Sequence, residues 1–211
     1  MDNIMDRFMT LSQWIYFLFM VQLLWFIGVI VGVAVMGIIP STVAVFALVR
    51  QRLQGADVAI HKEFWRYYKE NLFKTQIQGY LWIIFGIFLY YDIRLLFSFQ
   101  SLSTSIIAAI FVSVLILYLL ASMLIFPIQV HYHLSVFNRI RLPLFISITM
   151  PHIAIGLILS TIVLYVIATY IPILFTLIGV SLTALLYTKC SFFAFEKLQK
   201  SGFLKMETHS V

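Results

Sequence analysis

Few side chains in this sequence are of types that do chemistry, and their spacing argues against most reactions. His131 and His133 are the one metal-like pair. On a helix of 3.6 residues per turn, two positions apart means about 200° apart, so one ion does not reach both. No carboxylate or thiol stands near them in sequence, so neither a metal nor a cofactor is expected. His152 follows Pro151 and reads as a helix-start residue bonded to neighbouring backbone. Cys190, the single cysteine, lies inside an apolar run and reads as packing. Asp92 and Arg94 read as a solvated pair at the end of another apolar run. The sequence carries no phosphate-cradling glycine loop, no nucleophile elbow and no H-E-x-x-H. A catalytic role is not expected.

What remains is recognition chemistry. Arg50, Arg52, Arg66 and Lys69 are predicted to share one face with Trp65 exposed beside them. Trp and Arg are frequent interface anchors, and basic residues also attract anionic lipid. Phe64, Trp65, Tyr68 and Leu72 recur at helical spacing, with Lys62, Arg66, Lys69 and Glu70 largely on the other faces. That pattern predicts an amphipathic interfacial helix over 61–73, with Arg66 and Glu70 as an i,i+4 pair.

The elements that position these residues are membrane spans. The chain has 211 residues, of which 63% are hydrophobic and 10% charged. A soluble domain carries about 25% charged residues, so this surface faces lipid. Apolar runs predict an all-α, polytopic membrane protein, residues 1–211 forming a single helical domain. Its five spans are expected at about 14–36, 73–93, 103–128, 147–169 and 172–195. No soluble part is left to bind nucleic acid, so the net charge of +6 is loop charge. Span one is read as retained, not as a cleaved signal.

Gly28 and Gly32 form a G-x-x-x-G pair, which predicts close helix packing inside the chain, with homodimerisation as the alternative. A break is expected at Gly37 to Pro40, because proline lacks a backbone donor. Ser41 or Thr42 would cap the short helix that follows, to about Leu53. That helix either lies at the interface or re-enters the membrane, which leaves five or six crossings open. Lys and Arg fall in alternate gaps, and the positive-inside rule with five spans puts the N-terminus outside and the C-terminus in the cytoplasm. The run from span one through Pro40 to Arg50 also has a weak echo in span three, Pro127 and Arg139.

These same residues carry a resemblance. Gly37-Ile-Ile-Pro40-Ser-Thr-Val-Ala44-Val-Phe46-Ala-Leu-Val49-Arg50 resembles the opening motif of the YesL family of bacterial membrane proteins. Phe64-Trp-Arg66-Tyr-Tyr-Lys69-Glu-Asn71-Leu-Phe73 is similar to its aromatic-basic helix, and Phe126-Pro127 with Phe137-Asn138-Arg139 to a second block. It departs at Arg141-Leu142-Pro143, where the family's helix start carries Lys or Asn. The resemblance implies a bacterial cell-membrane protein with no assigned activity. By gene neighbourhood it implies an accessory role in carbohydrate uptake, with sugar ABC transporter permease subunits or a membrane sensor as partners. A small-solute permease acting as a homodimer is the alternative.

Overall fold

The computed structural model describes residues 2–72, 75–99, 101–131 and 136–200. Eight helices follow one another: α1 (Asp2–Val31), α2 (Val35–Leu53), α3 (Ile60–Asn71), α4 (Gln76–Ser98), α5 (Leu102–His131), α6 (Val136–Thr149), α7 (Pro151–Tyr170) and α8 (Pro172–Lys200). The described residues contain no strand. Five stretches are long and apolar enough to cross a bilayer: Met5–Val31, Gln76–Ser98, Leu102–His131, His152–Tyr170 and Pro172–Phe192. In lipid each backbone group needs a partner within its own segment, which is why apolar runs of this length fold as helices. Many large apolar side chains are exposed along them, Leu81 and Phe88 on α4 and Ile155 and Ile162 on α7 among them.

α2 folds back antiparallel along α1. Gly32 meets Gly37, Gly28 meets Ser41, and the Trp25 indole N–H donates to Thr42 Oγ1 at 3.1 Å. At the far end the Arg52 guanidinium sits 5.9 Å from the Trp14 ring centroid and 5.8 Å from that of Phe17. At 1.5 Å per residue the 19 residues of α2 reach about 28 Å, so the hairpin runs most of the depth of a bilayer core. α2 also packs against α3, α5 and α8 and touches α4. Val43 to Val49 is buried at every position, so the helix is the centre of the bundle. A second apolar cluster joins α5, α6 and α7 through Leu124, Ile128, Ile146, Ile153 and Leu157.

The chain bends earlier than the expected Gly37–Pro40 break. Ala34 N–H bonds to Val29 O at 2.8 Å and Val33 N–H to Ile30 O at 3.0 Å, which is the bond pattern of a Schellman cap. Val33 and Ala34 have φ of 53° and 55°, a region costly for a β-branched residue. Pro40 lies inside α2. Its missing N–H leaves the Met36 carbonyl without the usual helical donor, and the Gln76 side-chain amide donates to that oxygen at 2.6 Å. The proline therefore ties the start of α4 to α2. Neither expected cap forms: Thr42 Oγ1 donates to Ile38 O at 2.7 Å, and Ser41 Oγ is buried without a hydrogen-bond partner.

Further boundaries differ. α5 continues through Pro127 to His131, and α6 runs through Pro143, so the departure at Arg141 to Pro143 does not interrupt the helix. The fourth span starts at the Met150–Pro151 break and not at Ser147. Proline at the first helical position has no N–H to leave unsatisfied. The turn before Pro172 falls where expected. Phe73, Lys74, His133 and residues 201–211 lie outside the described residues. One buried side chain locks the outer helices together: Gln22, 2% exposed, accepts from the Val180 and Ser181 N–H groups of α8 at 3.0 and 3.2 Å.

Candidate functional site

The expected docking residues divide into two groups. Arg50 Nη1 donates to Val130 O at the end of α5, 2.7 Å away, and Arg52 lies over the rings of Trp14 and Phe17. Both cations are half-buried and engaged by groups of the same chain. Both belong to one end of the bundle, where the C-terminal turns of α2 and α5 meet α8 through a ring contact of His131 with Phe192. Arg66, Lys69 and Lys62 are exposed on α3.

α3 is built from its apolar face upward. Phe64 is fully buried and Tyr68 is 2% exposed. Both reach Gly28, where the missing side chain leaves room: the Phe64 ring lies 3.2 Å from where a Cβ would stand. The Tyr68 hydroxyl donates to Gly28 O at 3.0 Å. Burial pushes the Tyr68 phenol above its ordinary value, so it stays protonated and able to donate. Trp65 is half-buried edge-on to Phe64 and Tyr68, not free beside the cations. Gln51 at the end of α2 donates to Tyr67 Oη at 2.9 Å and Glu63 Oε2 at 3.3 Å. The same Glu63 oxygen pairs with Arg66, so Arg66 takes an i,i+3 partner in place of Glu70. Its guanidinium also lies 4.9 Å from the Tyr67 ring centroid.

Gly28 and Gly32 face Phe64, Ser41, Gly37 and Tyr68 of their own chain. Their close packing is internal, and the route to a homodimer through these glycines is occupied. The sequence-level chemistry residues stay apart. Cys190 lies 3.7 Å from Ser160 Oγ, His152 is exposed at the start of α7, and no ion pair joins Asp92 to Arg94. Among the described residues no three His, Cys, Asp or Glu side chains cluster.

Sequence reasoning missed the polar groups between α4 and α5. A cavity of about 380 Å³ is lined by Gln78, Leu81, Trp82, Phe85, Tyr118 and Ile140, among others. A neighbour of about 230 Å³ shares Gln78 and Trp82 and adds Ser122, Phe126 and Gln129. Trp82 and Tyr118 are stacked at 4.9 Å. Their polar atoms are engaged: Trp82 N–H on Ser122 Oγ at 2.8 Å, Tyr118 O–H on Trp82 O at 2.9 Å. Gln78 is 7% exposed, and neither atom of its carboxamide has a partner. The Gln129 amide nitrogen is likewise buried and unpartnered. The only sequence signal was two glutamines, Gln76 and Gln78, at the start of an apolar run.

Residues 18–93 match the family described as "Protein of unknown function, DUF624". That stretch covers nearly the second half of α1, all of α2 and α3, and the greater part of α4. The chain is 26% identical over 204 residues to "Uncharacterized protein YteU" of Bacillus subtilis (strain 168), covering 95% of this chain and 90% of that protein. It is 24% identical over 200 residues to "Uncharacterized protein YesL" of the same organism, covering 94% and 92%. No solved structure matches. The matched stretch thus takes in much of the α1–α2 hairpin, the helix seated on it and the greater part of α4, and the chain is similar to the two YesL-like relatives over nearly its full length.

Proposed function

We propose that the protein is a non-enzymatic, membrane-embedded accessory or regulatory component of a carbohydrate ABC transporter in the bacterial cell membrane, docking its partner through α3. The carrying observation is the two-sidedness of α3. Phe64 and Tyr68 hold it against the hairpin, while Lys62, Arg66 and Lys69 stay exposed. A rigidly seated helix presents side chains without a large ordering cost on binding. The carbohydrate assignment draws its support from the gene neighbourhood that the YesL resemblance implies. A small-solute permease acting as a homodimer is the weaker reading, since the two cavities offer mostly apolar walls, where a polar solute would lose its hydrogen bonds.

The expected result is that Arg66→Glu with Lys69→Glu lowers copurification of transporter permease or sensor subunits at least tenfold, while membrane insertion persists. Trp65→Ala is a poorer probe, because it also removes packing against Phe64. Equal loss on reversing any two exposed basic residues, Lys189 for example, would favour anionic lipid as the ligand of this face. Unchanged copurification would remove α3 as the docking site.

The same reading includes an orientation. The hairpin sets Trp14 beside Arg52, so α2 returns to the side from which α1 started. The N-terminus then joins the basic side, in place of the outside position that five crossings imply. With α2 as a further crossing, every Lys and Arg except Arg94 falls on one side, and the positive-inside rule makes that side cytoplasmic. Reporters fused at Met1 and at Val211 are expected to be active only in the cytoplasm. Exterior activity of the Met1 fusion with cytoplasmic activity of the Val211 fusion would restore five crossings.

A further inference from the structure

We propose that two adjoining cavities that share Gln78 and Trp82, one between α4, α5 and α6 and the other between α2, α4 and α5, bind an uncharged glycerolipid of the diacylglycerol type. One acyl chain lies along Trp82, Phe85 and Tyr118, and its ester or hydroxyl group meets the carboxamides of Gln78 and Gln129. This site is separate from the charged face of α3 and does not depend on the docking reading.

The unsatisfied polar group comes first. A buried carboxamide with neither its donor nor its acceptor engaged is costly, and Gln78 is such a group, standing in the wall shared by both cavities. The other polar atoms around it are already committed to one another. The second is chemistry of the lining. No charged side chain lines either cavity, so the polar end of the occupant is neutral and small. The donors and one acceptor at Gln78 and Gln129 suit an ester carbonyl and a hydroxyl. The third is size and access. The larger cavity, about 380 Å³, falls by itself in the range of small-molecule sites, and the one of about 230 Å³ adjoins it across Gln78 and Trp82. Leu81 and Phe85 line the larger cavity and are also 60% and 44% exposed on the apolar outer surface of α4. The occupant therefore enters from the hydrocarbon side. Water alone suits the larger cavity poorly, because a buried water needs two to four polar partners and Gln78 is the uncommitted one.

The test uses the full chain in detergent micelles, titrated with dioleoylglycerol whose acyl chains are brominated, with tryptophan quenching as the readout. The chain has four tryptophans, so Trp82→Phe identifies the component that reports on the cavity. Saturable quenching that disappears in Trp82→Phe is expected. Gln78→Met keeps the side-chain length and removes the polar group. It is expected to weaken apparent affinity about tenfold or more while the melting temperature of the ligand-free protein stays equal or rises. Brominated dioleoylphosphatidylglycerol is expected to quench Trp82 only weakly. Equal quenching by the anionic lipid would overturn the proposal, as general lipid contact would explain it. So would unchanged affinity in Gln78→Met, or a fall in its melting temperature without loss of affinity, which would mark Gln78 as structural. If Gln78→Met does not fold, Gln129→Met is read in its place, and unchanged affinity there overturns the site.

Discussion

Gly37→Val is expected to be among the most damaging single substitutions in the chain, costing about 3 kcal/mol, the upper part of the range for overpacking. A Cβ at Gly37 would stand 2.6 Å from the Gly28 carbonyl oxygen and 2.7 Å from Val29 Cα. Both are backbone atoms of α1, which cannot move without opening the hairpin. Gly32 faces Gly37 in the same way from the other side. The contrast is Gly79, where a Cβ would meet the Ile39 Cδ1 atom at 2.5 Å. That atom ends a flexible side chain and can rotate away, so Gly79→Ala should cost well under half as much. SDS-driven unfolding in mixed micelles measures both variants. Equal stability of Gly37→Val and the parent would show that the two helices do not meet closely at this turn. Because α2 also touches α3, α4, α5 and α8, the loss should be cooperative and not confined to α1.

Phe64→Ala is expected to cost about 3–5 kcal/mol, the range for truncating a buried aromatic. The ring is fully buried and lies against the space that Gly28 leaves open. Its removal leaves a void between α3 and both arms of the hairpin, and it takes away the stacked neighbour of Tyr68. Lys62→Ala, on the exposed side of the same helix, should change stability by no more than about 0.5 kcal/mol. The same unfolding measurement separates the two. Near-equal effects would mean that α3 rests loosely on the bundle and does not present a preorganised docking face.

What the sequence determined by itself was the class and the setting. Long apolar runs leave the chain no water to satisfy its backbone, so helices across lipid follow from composition alone. The amphipathic period of 61–73 likewise marks α3 and its buried face, because Phe64 and Tyr68 are one helical turn apart and neighbours on the surface. Only the tertiary structure decided where α1 ends. Val33 occupies a left-handed position that residue preferences reserve for glycine, and it is held there by the packing of α2 on α1. Local signals pointed instead to Gly37 and Pro40, whose roles are a close approach and a freed carbonyl for Gln76. Tertiary contacts also decided which cations face outward. Arg50 and Arg66 look alike as residues, yet one bonds the Val130 carbonyl and the other remains at the surface. The cavity at Gln78 is of the same kind, since its walls come from residues up to 66 positions apart, and no local spacing carries information about contacts made over that distance.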